Sequence, residues 1–298
     1  MTPLNRILCP VDFSDFSRNA LDHAVAIARW YEADVTALHV LPSMTAFMPP
    51  TGEGLYPPLV FTEQDLRQFR DELTAFARES GDARLTATVV QGSPVIEIVR
   101  CAEQLPADLL VVGTHGRSGL DRLMLGSTTE KLLRRAPCPV LTVPRRAPDV
   151  VPLDAPFTRV VCAVDFSPAS LRALTLAQAL AGEAAARLWV VHVLEPVSIF
   201  EPVAASGPGL PAVNADLRRE TLHRLEGLIA ADARAFTEIS EVVAAGKAYR
   251  EILRIAGEQA ADLIVIGAHG GPVGLPAFGS TTTHVVREAL CPVLTVHT

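Results

Sequence analysis

Cysteine is scarce: there are five in 298 residues, and none forms a C-x-x-C pair. That excludes a disulfide scaffold and leaves reduced, mostly buried thiols as the expected state. No apolar run approaches the roughly 20 residues that a membrane helix requires. The opening MTPLNRILCPVDFS reads as neither a signal peptide nor a lipidation signal, so a cytoplasmic location is expected. Positive charge is also in deficit, with 26 Lys and Arg against 33 Asp and Glu. A formal charge of -7 disfavours general affinity for nucleic acid or anionic membrane, so any anion must be held by a local device. Three enzyme signatures are missing as well: the Walker-type G-x4-G-K-[S/T], the S-G-G-x-D-S of ATP pyrophosphatases and the H-I-G-H of nucleotidylyltransferases.

What the chain does contain is a copy of itself. GSTTEKLLRRAPCPVLTV, from Gly126 to Val143, and GSTTTHVVREALCPVLTV, from Gly279 to Val296, agree at 12 of 18 positions without a gap. The same offset of 153 aligns ILCPVDFSDFSRNALDHAVAIA at Ile7 with VVCAVDFSPASLRALTLAQALA at Val160, and His39-Val40 with His192-Val193. Pro144, Pro148, Pro152 and Pro156 punctuate the stretch between the copies, excluding helix and interrupting strand pairing. The expected organisation is a domain over 1–145, a Pro-rich linker over 146–156 and a second domain over 157–298, each long enough to bury its own core.

Within each copy short apolar runs alternate with amphipathic stretches. In the first, Arg6 to Val11 predicts a buried strand, Ser14 a helix N-cap, and Asp34 to Leu41 a second strand. A helix bearing Leu66, Phe69, Leu73 and Phe76 on one face follows, then a strand near Leu85 to Val90 and a helix from Pro94 to Gln104. Asp108 to Val112 predicts a strand, the sequence after Gly126 a helix, and Pro139 to Val143 a last strand. In the second copy Val160 to Val164 matches the first strand, and Ser167-Pro168 is an N-cap followed by Pro at the first helical position. The order βαβαβαβαβ, with strands apolar on both faces, predicts an α/β fold: two tandem Rossmann-like, doubly wound parallel-sheet domains.

In such sheets ligands bind beyond the carboxyl ends of the strands, where the strand order reverses. That edge gathers Asp12, His39-Val40, Gly113-Thr114-His115-Gly116 and Gly126-Ser127-Thr128. Glycines admit a phosphate close to the backbone, and a helix N-terminus stabilises its charge. The glycines could equally serve as turns, with Ser127 no more than a helix cap.

On these residues the sequence resembles the universal stress protein (UspA-like) family, in particular its tandem members and its ATP-binding branch. That branch is marked by G-x2-G-x9-G-[S/T], which Gly113-x2-Gly116-x9-Gly126-Ser127 fits. The resemblance implies ATP, or another adenine nucleotide, bound with Mg2+. Gly113, Thr114, His115, Gly116 and Arg117, with Gly126, Ser127 and Thr128, would surround phosphates and ribose. Asp12 would act as an acceptor beside the nucleotide and help to hold the metal. Val40 would meet adenine through its backbone, and Pro10 and Val11 would line the pocket. A second, weaker site would use Val164, Asp165, Val193, Gly267, His269, Gly270, Gly279, Ser280 and Thr281.

The second copy departs from the pattern: eight residues, not nine, separate Gly270 from Gly279, Pro272 and Pro276 stiffen the loop, and Ala163 replaces Pro10. Arg117, Arg122, Lys131, Arg134 and Arg135 flank the first loop, whereas the second has Arg287, with His269 and His284. Tighter ATP binding at the first site is therefore expected.

The resemblance also implies that the last strands, Pro139 to Val143 and Pro292 to Val296, pair as an intramolecular pseudo-dimer, with a homodimer as a further option. A stress-response regulator or sensor with an unknown protein partner is the leading reading, with at most slow ATP hydrolysis. The alternatives are a weak ATPase and an adaptor with vestigial pockets. His39 and His192, inside apolar strands, are expected to be packed and hydrogen-bonded. The Pro- and Gly-rich segments 42–62 and 195–212 could act as lids or as partner contacts.

Overall fold

The computed structural model describes residues 4–43, 61–81, 84–114, 125–145, 147, 157–195, 210–229, 233–268 and 279–297. The chain divides into two compact units, Met1–Pro156 and Phe157–Thr298. Of the linker expected at 146–156, only Ala147 lies within the described residues.

In the first unit the elements are β1 (Arg6–Pro10), α1 (Asp15–Tyr31), β2 (Asp34–Pro42), α2 (Glu63–Arg78), β3 (Leu85–Gly92), α3 (Pro94–Gln104), β4 (Leu109–Gly113), α4 (Ser127–Arg135) and β5 (Val140–Val143). The strands are all parallel, in the order β3-β2-β1-β4-β5. The order reverses between β1 and β4, so their carboxyl ends flank the crevice that a doubly wound sheet offers to ligands.

The second unit follows the same plan: β6 (Arg159–Ala163), α5 (Pro168–Glu183), β7 (Arg187–Leu194), α6 (Leu210–Glu226), a short α7 (Ala233–Phe236), β8 (Ile239–Ala245), α8 (Ala248–Glu258), β9 (Leu263–Gly267), α9 (Ser280–Glu288) and β10 (Val293–Val296). Its order is β8-β7-β6-β9-β10, with the reversal between β6 and β9.

Sequence and structure agree to within one or two residues on each strand for which the sequence gives bounds, and the shifts have local causes. Val11 and Val164 fall just past their strands. Each still donates its N–H to the neighbouring strand, Val11 to Leu38 O and Val164 to Val191 O, both at 2.8 Å. Asp108 is not a strand residue: its carboxylate accepts the N–H groups of Asn5 and Arg6 at 2.9 Å, tying the start of β1 to the approach to β4. Asp262 repeats this clamp on Thr158 and Arg159, at 2.8 and 2.9 Å. The segment 195–212 is shorter than expected, because α6 begins at Leu210, and 44–60 and 196–209 lie outside the described residues.

Ser14 and Ser167 cap α1 and α5 as their sequence positions demand, accepting the N–H of Ser17 and Ser170. Behind them Leu21, Ala24, Val25 and Ala28 are buried against the sheet at helical spacing. Strands β4 and β9 are buried on both faces, as parallel crossovers require. No described helix is long and apolar enough to cross a membrane.

All five cysteines are free and buried. Desolvation pushes the Cys138 and Cys291 thiols up to about 12, and those of Cys9 and Cys162 higher still. Cys101 moves the same way, and burial outweighs the opposing charge of Arg100. A thiol raised in the folded state adds stability that is fully present below its unfolded value, here 9.0, and is lost as pH rises through the folded one. A thiol reagent at pH 8 should therefore titrate no cysteine rapidly in the native chain and five after denaturation, and urea midpoints should fall between pH 9 and 12.

Candidate functional site

At the carboxyl end of β1 the chain turns sharply into α1, and the turn is built from its own polar groups. Asp12 donates its N–H to Ser17 Oγ at 3.3 Å, while its Oδ1 accepts the N–H and hydroxyl of Ser14 at 3.1 and 2.5 Å. Asp165 repeats the arrangement, donating to Ser170 Oγ at 3.3 Å and accepting from Ser167 N–H at 3.0 Å. Between each Asp and Ser stands a Phe in the left-handed region, Phe13 at φ 63 and Phe166 at φ 64. That conformation is unusual for a bulky residue and clusters at functional sites.

Each of these rings leans on the strand histidine next door. Phe13 and His39 have centroids 4.7 Å apart, and Phe166 and His192 4.8 Å apart. Both histidines donate from Nδ1, to the carbonyls of Val11 and Val164, at 2.7 Å. They brace the turn, as their apolar strand context predicts. A guanidinium covers the far side in each unit: Arg18 lies over Phe76 at 3.3 Å, itself edge-on to Phe13, and Arg224 over Phe166 at 3.8 Å.

Across the crevice, β4 and β9 end in Gly113 and Gly267. A Cβ at Gly113 would lie 2.9 Å from Phe16 O, and one at Gly267 would lie 2.8 Å from Ser170 N. Glycine is therefore required at both positions for the strand to meet the first turn of the next-door helix. The Gly113 and Gly267 carbonyls accept the hydroxyls of Thr129 and Thr282, both at 2.8 Å, which anchors α4 and α9. The glycine loops are pinned at both ends. Thr114 N–H reaches Val143 O at 3.1 Å and Gly126 N–H returns to Thr114 O at 2.8 Å. In the second unit Ala268 stands at the same point, bonded to Val296 O at 2.8 Å and Gly279 N–H at 3.0 Å. Gly126 and Gly279 are the N-caps of α4 and α9, which open on the crevice with Ser127-Thr128 and Ser280-Thr281. His115, Gly116, Arg117, Arg122, His269, Gly270, Pro272 and Pro276 lie outside the described residues.

In the second unit this crevice is a cavity of about 350 Å³. Val164, Asp165, Val193, Gly267, Gly279, Ser280 and Thr281, seven of the nine residues singled out there by sequence, line it. The wall also holds residues the sequence did not single out: Glu195, Ala248 and Ile252. Glu195 follows β7, and its Oε1 accepts the N–H of Ala248, the first residue of α8, at 2.8 Å. Its place at the ligand edge of a strand was the available signal. In the first unit Pro10, Val11, Asp12, Gly113, Thr114, Gly126, Ser127 and Thr128 occupy the corresponding turns, with Val40 on β2.

Two parallel-sheet α/β units, each with a glycine-ended strand and a helix N-terminus at its switch point, define a tandem, doubly wound protein. The chain belongs to the universal stress protein family, whose model matches residues 3–144 and again 156–297. A universal stress protein of Mycobacterium tuberculosis is 29% identical over 268 residues, 87% of this chain and 86% of that one. One from Methanocaldococcus jannaschii is 34% identical over 139 residues, 46% of this chain and 81% of the relative. Among solved structures, a universal stress protein of Archaeoglobus fulgidus superposes with a TM-score of 0.64 at 23% identity, covering 99% of this chain and 98% of that one.

The tight glycine contacts give a direct test. Gly113→Ala should cost about 1–3 kcal/mol through overpacking against α1. In urea unfolding it should lower the midpoint with the slope unchanged, and Gly267→Ala should do the same.

Proposed function

We propose that the protein binds an adenine nucleotide, with Mg2+, at the switch-point crevice of its units, and that occupancy rather than turnover is its signal in a stress-response regulatory role. The observation that carries this reading is the cavity of about 350 Å³, lined by the Asp-bearing turn, the strand glycine and the N-terminal Ser-Thr of α9. Its size suits a nucleoside-sized ligand. The helix N-terminus offers unsatisfied N–H groups and a favourable dipole to a phosphate, and flanking glycines leave the backbone accessible.

The same geometry supports a first-unit site, where Gly126 caps α4 and Asp12 sits at the turn. In this reading Val40 and Val193, near the ends of β2 and β7, take the adenine, and Asp12 and Asp165 lie beside the ribose and the metal. The loop from His115 to Arg117, with Arg122, makes the first unit the stronger polyphosphate site. On α4, Arg134 is paired with Glu130 at 2.9 Å, and both Arg134 and Arg135 lie in the last turn, away from the crevice.

Calorimetric titration of the nucleotide-free chain with MgATP tests the reading. One tight event per chain, weakened about tenfold or more by Gly116→Val, is expected, since blocking the loop removes charge-assisted contacts of about 1.5–3 kcal/mol each. No binding of any adenine nucleotide would instead favour an adaptor with vestigial pockets. Unchanged affinity in Gly116→Val would relocate the phosphates.

A further inference from the structure

The ring of Phe13 is seated against α2. Phe76 meets it edge-on at 5.4 Å, and Phe69 stacks at 5.8 Å on His39, the ring on which Phe13 leans. Phe69 and Phe76 are seven residues apart on α2 and so share one face of that helix. Arg18, on α1, holds the arrangement from outside: its guanidinium lies 3.3 Å over Phe76, donates to Phe76 O and pairs with Glu79 at 2.8 Å. In the second unit the helix at the same place in the chain order, α6, supplies the Arg224 guanidinium, 3.8 Å from the centre of the Phe166 ring.

The same backbone angle that seats each ring also places a carboxylate. At φ 63 for Phe13, the Ser14 N–H turns back toward Asp12, whose Oδ1 accepts it at 3.1 Å. At φ 64 for Phe166, the Ser167 N–H reaches Asp165 Oδ1 at 3.0 Å, and Asp165 is part of the cavity wall. Rotation out of the left-handed region would move the ring off its partners and the serine N–H off the carboxylate together. Two sets of contacts are thus satisfied by one angle that a bulky residue otherwise disfavours. We propose that Phe13 and Phe166 are positioning residues for ligand binding: each ring, seated against the helix that follows the second strand of its unit, holds the turn that presents Asp12 or Asp165 to the crevice. The proposal rests on the nucleotide reading above and adds that α2 and α6 are energetically coupled to the crevice. A carboxylate already oriented need not be ordered by the ligand, which raises affinity. The coupling is reciprocal, so a ligand that engages Asp12 steadies the α2 face behind Phe13.

A double-mutant cycle on the full chain, read by calorimetry with MgATP, tests the first unit. Glycine adopts a positive φ freely, so Phe13→Gly removes the ring without straining the turn. It should weaken the tight MgATP event about tenfold, as should Asp12→Asn. The double variant should be within about threefold of either single one, because the ring acts through the carboxylate. Phe76→Leu, which keeps apolar volume on α2 and serves if Phe13→Gly does not fold, should weaken MgATP about threefold and have no effect in the Asp12→Asn background. Hydrogen exchange reads the coupling from the other side: MgATP should slow exchange between Phe69 and Arg78 in the wild type and not in Phe13→Gly. Single losses that multiply to about a hundredfold in the double variant would overturn this proposal alone. So would wild-type affinity in Phe13→Gly or in Asp12→Asn. If the wild type binds no MgATP, the nucleotide reading falls and this proposal with it.

Discussion

Each unit depends on a contact from which a side chain is excluded. Where β4 and β9 end, the strand backbone lies against the first turn of α1 and α5, and Gly113 and Gly267 have under 3.0 Å in which to place a Cβ. That approach brings the switch-point strands and the two helix N-termini to one crevice. The Thr129 and Thr282 hydroxyls lock it by bonding the same glycine carbonyls. A methyl group there would force strand and helix apart, so the packing and the crevice above it share one constraint.

Around this contact the two units place equivalent groups by equivalent bonds and differ in the residues at the crevice rim. The Asp-Phe-Ser turn, the histidine brace and the Asp clamp recur with closely similar distances. The loops and the ends of β2 and β7 do not repeat: Arg117 and Arg122 occur in the first loop, and Glu195 stands opposite Pro42. A common scaffold with divergent rims is what a duplicated domain needs if its two halves are to respond to different ligands.

Much of this was legible in the residues because the signals are local. Ser14, Ser167 and Pro168 mark helix starts by capping chemistry, and the Gly126 and Gly279 repeats mark others. The succession of strands and helices along the chain followed from alternation and apolar runs. Three features escaped for physical reasons. A left-handed φ at Phe13 and Phe166 has no signature in a residue type that disfavours it, and the rings pack on His39 and His192, which are distant in sequence. Asp108 read as the first residue of a strand because it precedes four apolar residues, yet its carboxylate works on the backbone of Asn5 and Arg6. Glu195 entered only as the first residue of a possible lid, because comparing two copies draws attention to matches and its counterpart is Pro42.

The Asp108 and Asp262 clamps sit at the edge of each sheet remote from the crevice, holding together the pair of strands whose far ends flank that crevice. Each sheet therefore has a fixed foundation and a furnished rim, and the foundation is indifferent to which loop is mounted above it. A chimaera that trades rim residues between the halves would leave both clamps, and the strand pairs they join, untouched.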